Sequence, residues 1–89
     1  MKAVITVTGK DTPGIVAKVS SYCFEYGGNI LDVTQSLLQE YFAMITLVDV
    51  SNLTIPFTEF VDKLTELGKK ENLQITTMHE DIFNSMHRI

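Results

Sequence analysis

Gly9, Lys10, Asp11, Thr12, Pro13 and Gly14 form the group of residues in this chain whose types and spacing most suggest chemistry. A glycine leaves an alternating apolar run, and a proline-glycine step opens a helical pattern. That arrangement leaves backbone amides free at a helix start, where a carboxylate or phosphate can be met. The same residues have a purely structural use. Asp11 or Thr12 can accept orphan amide hydrogens as a helix cap, and Pro13 suits the first helical position, whose N–H needs no partner. Gly9 and Gly14 have the separation of a phosphate-binding P-loop, yet Ile15 and Val16 stand where that motif needs lysine followed by serine or threonine. Nucleoside triphosphate hydrolysis is excluded on that ground. The second corner of interest is Gly27-Gly28-Asn29-Ile30, a helix stop running into a strand. Asn29 is the polar side chain there that can both donate and accept hydrogen bonds.

Other constellations have weaker claims. His79 and His87 stand eight residues apart, which on a helix turns the two imidazoles away from each other by roughly 80°, so no metal site is expected from them. Cys23 falls on an apolar helical stripe and reads as a small buried hydrophobe, not a nucleophile. The methionines and phenylalanines read as packing residues. Phosphate chemistry on a loop of this kind needs an arginine to grip the phosphate, and the sole arginine, Arg88, lies at the far end of the chain. No acid, base and nucleophile converge, so no catalytic residues, no enzyme activity and no cofactor are predicted.

The elements that must position these residues follow from hydrophobic period. Residues 2–8 alternate and are rich in β-branched types, predicting a half-buried strand closed by Gly9. Ile15, Val16, Val19, Cys23 and Tyr26 recur at helical spacing and predict a helix over 13–26, stopped by Gly27-Gly28. A second strand spans 29–38, where Ile30 and Leu38 blur the phase and suggest a bulge. Residues 41–50 are the most apolar stretch and read as a central strand. The hairpin between these strands would turn at Gln39-Glu40, which lacks the Asn-Gly signal of a two-residue loop. Phe57, Phe60, Val61, Leu64 and Leu67 mark a second helix that starts at Pro56 and has Gly68 near its end. Residues 73–78 form a last strand. The order is strand, helix, strand, strand, helix, strand, which is the split βαβ arrangement of α+β, ferredoxin-like domains. Right-handed crossovers put both helices on one face of a four-stranded antiparallel sheet, with strands one and three central. Residues 1–78 make this domain, and 79–89 are expected as a C-terminal tail helix carrying Ile82, Phe83, Met86 and Ile89.

Composition bounds what such a domain can do. The chain has 89 residues, 45% of them apolar, which suffices for a single core. A chain of this size buries roughly 64% of its unfolded surface, a small margin that favours pairing with a second copy. Seven basic against eleven acidic residues give a net charge of −4, which repels a phosphate backbone, so nucleic acid is not an expected partner. No apolar run approaches a membrane span, and the alternating residues before Gly9 are too short for a secretory core. A single cysteine allows no internal disulfide, and a cytoplasmic location is the expectation.

At its two glycine corners the sequence resembles the ACT domain, a small regulatory module of amino-acid metabolism. Residues 9–17 are similar to the loop after that family's first strand, and Gly28-Asn29-Ile30 to its entry into the second. The run 29–35 and the ending 79–88 further resemble a group of stand-alone bacterial ACT proteins related to the glycine cleavage regulator. The resemblance implies a ferredoxin-like fold and a homodimer built through the first helix and second strand. It also implies a small amino acid or related metabolite held where the first loop meets the partner's second strand. Gly9, Lys10, Asp11, Pro13, Gly14, Asn29 and Ile30 are the matching positions. Asp11 would pair with a ligand ammonium, amides near Gly14 and Ile15 would take its carboxylate, and Asn29 of the other chain would bridge both. No catalytic or DNA-binding segment stands beside the module in these 89 residues, so its state is expected to pass to a partner protein. The alternative is an interaction or dimerisation module in which the loop is only a helix cap and no small molecule binds.

Overall fold

The computed structural model describes residues 1–10 and 13–86. Its elements are β1 (Lys2–Lys10), α1 (Ile15–Glu25), β2 (Asn29–Leu38), β3 (Tyr41–Asp49), α2 (Phe57–Glu71), β4 (Gln74–His79) and α3 (Glu80–Met86). The strands form one sheet in the order β2-β3-β1-β4, with every neighbouring pair antiparallel. This is the ferredoxin-like α+β arrangement expected from the periodicity, with β1 and β3 central.

Alternation on the strands decides the two faces. Ala3, Ile5 and Val7 of β1 lie opposite Val48, Thr46 and Met44 of β3, and all six are buried. They form the core with Val19 and Cys23 of α1 and Phe60, Leu64 and Leu67 of α2. Val4, on the opposite face of β1, is buried too, where α3 packs on β1 and β4. Thr46 and Thr77 flank Ile5 across the sheet, and their buried hydroxyls have no partner among the described residues.

Element ends depart from the sequence reading in instructive ways. The first helix begins at Ile15, not Pro13, because Gly14 takes a left-handed conformation (φ 80°) that cannot continue into a right-handed helix, and so becomes the cap position. Its far end closes as expected at the double glycine. The Gly28 N–H donates to the Cys23 carbonyl at 2.7 Å and the Gly27 N–H to the Phe24 carbonyl at 3.2 Å, with Gly27 left-handed. That pair of bonds is a Schellman closure, which satisfies the carbonyls at the helix terminus. Gly68 lies inside α2, where the chain returns over it: a Cβ would stand 2.7 Å from the Leu73 carbonyl oxygen, and the Leu73 N–H donates to the Gly68 carbonyl. Asn72, left-handed at φ 61°, ends the helix instead. The bulge in β2 falls at Leu31, between Ile30 opposite Val48 and Asp32 opposite Leu47. It moves Ile30, Val33, Gln35 and Leu37 into one phase, facing the helices. The β2–β3 hairpin does turn at Gln39-Glu40, with Leu38 opposite Tyr41 and Gln39 at φ 56°.

Candidate functional site

The site builds up from the end of β1. Gly9 pairs with Phe42 and Lys10 with Tyr41, so the chain leaves the sheet beside the tip of the β2–β3 hairpin. It then reaches Pro13 and Gly14, from which α1 departs. No acidic side chain stands in the first turn of α1, and Gly14 offers no capping side chain, which favours an anion near those first amides. Asp11 and Thr12, predicted to cap the helix and to meet a ligand ammonium, lie outside the described residues.

A cleft of about 620 Å³ opens at this helix start, lined by Pro13, Gly14, Ile15, Val16, Ala17, Gln35 and Phe42. Three of the predicted residues, Pro13, Gly14 and Ile15, are therefore brought together in one concave surface. Four lining residues were not anticipated: Val16 and Ala17, which continue the first turn of α1, and Phe42 and Gln35, which come from the sheet. Phe42 reads in sequence as a core residue and is indeed buried, but its ring lies at the sheet end that the cleft exposes. Gln35 occupies a helix-facing position in the bulge-shifted phase of β2, opposite buried Met44. A polar residue within the apolar alternation of Val33 and Leu37 was the available signal, legible from the strand period alone.

Gly9 and Lys10 flank the cleft region without lining it. Gly9 is tied to a different neighbour: a Cβ there would stand 2.8 Å from Leu73 Cδ2 and 3.5 Å from the Asn72 carbonyl oxygen. On the other side of the loop, a Cβ at Gly14 would lie 3.9 Å from Lys18 Cε, and the Lys18 ammonium pairs with Glu71 at 2.6 Å. The β1–α1 junction is thus braced against the α2–β4 corner.

Asn29 and Ile30 are not in this cleft. Asn29 lies opposite Asp49, seven residues along β3 from the Phe42 that pairs with Gly9, which separates them by roughly 23 Å along the sheet. Within one protomer they stand at opposite ends.

The remaining candidates resolve simply. Cys23 is fully buried, and burial pushes its thiol up to about 11, the opposite of what a nucleophile needs. His79 serves locally: its Nδ1 accepts the Asp81 N–H at 3.1 Å at the start of α3. Among the described residues no three His, Cys, Asp or Glu side chains come together to hold a metal, and His87 lies outside them. Among the described residues, too, no helix is long and apolar enough to cross a membrane.

A four-stranded βαββαβ sandwich whose glycine-rich first loop opens beside an edge strand defines a ferredoxin-like α+β module. The chain belongs to the ACT domain family, whose model matches residues 2–78, and within it to the UPF0237 proteins. A UPF0237 protein of Clostridium acetobutylicum is 49% identical over 89 residues, covering 100% of both chains. Among solved structures, an ACT domain protein from Streptococcus pneumoniae superposes with a TM-score of 0.80 at 42% identity, covering 93% of each chain. The link to the glycine cleavage regulator is more distant. A structure of a candidate glycine cleavage system transcriptional repressor matches with a TM-score of 0.73 at 27% identity, over 89% of this chain and 47% of that one. ACT domains are small regulatory modules that commonly bind ligands and dimerise.

Proposed function

We propose that this protein is a non-enzymatic, cytoplasmic sensor that binds a small amino acid or related metabolite between two copies of itself and signals that state to a partner protein. The observation that carries the reading is the cleft at the start of α1, lined by the residues of that uncapped helix start and by Gln35 and Phe42 of the sheet. In this reading the amides near Gly14 and Ile15 take the ligand carboxylate, and Asp11 pairs with its ammonium. Gly9 and Lys10 position the loop.

Asn29 and Ile30 join the site from a second copy. Edge strand β2 is solvent-exposed along most of its length, with Leu31, Leu37 and Leu38 all exposed, while Phe24 on α1 is 85% exposed. Such a surface invites pairing. Two copies set antiparallel along β2 bring Asn29 of one to the cleft end of the other.

Calorimetric titration with the common amino acids, wild type beside Asp11→Ala, tests the reading. Heat with at least one amino acid, lost in the variant, is the expected result; no heat with any of them overturns it.

The exposed Ile82 and Met86 of α3 favour a second reading, an interaction module with no small-molecule ligand. Partner protein that co-purifies regardless of added amino acids, and is lost when residues 80–89 are deleted, would support this reading over the first.

A further inference from the structure

We infer that Gln35 selects the ligand of the cleft, and that the cleft takes an amino acid whose side chain carries a neutral hydrogen-bonding group on an apolar stem. The inference rests on the proposed amino-acid site and specifies which class of amino acid it admits. Gln35 is the sole polar side chain among the described residues that line the cleft, the others being Pro13, Gly14, Ile15, Val16, Ala17 and Phe42. Its position is unusual for its chemistry. Strand alternation places it in the phase of Val33 and Leu37, which the Leu31 bulge extends to Ile30, facing the helices, with Met44 directly across the strand pair. An apolar residue would extend the core there. Gln35 instead stays solvent-exposed, and its carboxamide makes no hydrogen bond with another described residue.

Three ligand classes can be compared on this surface. A charged side chain would give up water for a lining that offers no opposite charge among the described residues, which is costly. Glycine would leave the accessible apolar lining of Pro13, Val16 and Ala17 uncovered, forgoing the apolar contact the cleft provides. A purely aliphatic side chain would cover Gln35 and strip its amide of water without replacing the lost hydrogen bonds. A neutral amide or hydroxyl at the end of a short apolar stem satisfies both parts of the lining. The carboxamide of Gln35 presents donor and acceptor together, so a ligand carboxamide can meet it at two points.

The test uses three probes, L-glutamine, L-leucine and glycine, titrated against the wild-type protein and the Gln35→Leu variant. Gln35 is exposed and leucine suits a strand, so the variant is expected to keep the wild-type unfolding midpoint, which is checked first. Wild type should bind L-glutamine at least about tenfold more tightly than L-leucine, the size of one neutral hydrogen bond, and Gln35→Leu should reverse that order. Tighter binding of L-leucine or glycine by wild type, or an order unchanged in the variant, overturns the inference while leaving the amino-acid site intact. No binding of L-glutamine where another common amino acid binds overturns the inference alone, and no binding of any common amino acid, each titrated as for the proposed function, overturns both.

Discussion

Gly9 and Leu73 are packed so closely that the last turn of β1 has no room for a side chain: a Cβ on Gly9 would stand 2.8 Å from Leu73 Cδ2. The glycine that opens the candidate site is therefore needed for contact with the α2–β4 corner, and its φ of 155° adds a conformation that L side chains rarely adopt. Gly9→Ala should destabilise the fold by roughly 1–2 kcal/mol, since the leucine terminus can shift part of the way but the backbone strain stays. Urea unfolding followed by circular dichroism measures this, and a variant as stable as wild type would show that the contact is not binding on the structure.

Phe24 offers a direct test of the two-copy arrangement. It is 85% exposed, so replacing it should change monomer stability by no more than about 0.5 kcal/mol. Phe24→Lys should nevertheless shift the monomer-dimer balance at least about tenfold toward monomer if α1 lies in the interface. Sedimentation velocity across a concentration series reads the shift; equal profiles for the two proteins would remove α1 from the interface.

Cys23 makes stability depend on alkaline pH. Burial raises its folded-state pKa to about 11, whereas an unfolded cysteine titrates near about 8.5. Its contribution is therefore fully present below the unfolded value and is lost as pH rises from there toward 11, because thiolate formation favours the unfolded chain. Unfolding midpoints between pH 7 and about 10.5 should fall more steeply for wild type than for Cys23→Ala, in which the lysine and tyrosine titrations are retained. Parallel curves would mean that the thiol titrates freely in the folded state.

Gln39 holds the positive φ of 56° that closes the β2–β3 hairpin. A non-glycine residue bears strain there, so Gln39→Gly should raise stability by up to about 1 kcal/mol, less the entropy that glycine adds to the unfolded chain. Thermal unfolding with unchanged ligand behaviour is the readout. A lowered midpoint would show that Gln39 makes a contribution that outweighs its backbone strain.

Much of this fold was legible in the residues. Strand alternation in 2–8, the Gly27-Gly28 stop and the stripe of Phe60, Leu64 and Leu67 are local signals, because burial on one face imposes its period directly on the neighbouring residues. The start of α1 was misplaced by two residues, since nothing local reveals that Gly14 takes the left-handed conformation and not a helical one. The bulge was suspected from a blurred phase, but its place at Leu31 depends on the pairing with β3, which is set across the hairpin.

The candidate site divides along the same line. By itself the sequence determined that a glycine-rich loop leads from a strand into a helix, and that Pro13, Gly14 and Ile15 stand at that step, because those are relations between adjacent residues. Only the tertiary structure decided that Gln35 and Phe42 complete the cleft, that Leu73 fills the space above Gly9, and that Asn29 stands at the other end of the sheet. Those relations depend on strand register and on packing between elements distant in the chain, where one residue of slip or one bulge changes which side chain faces the cleft.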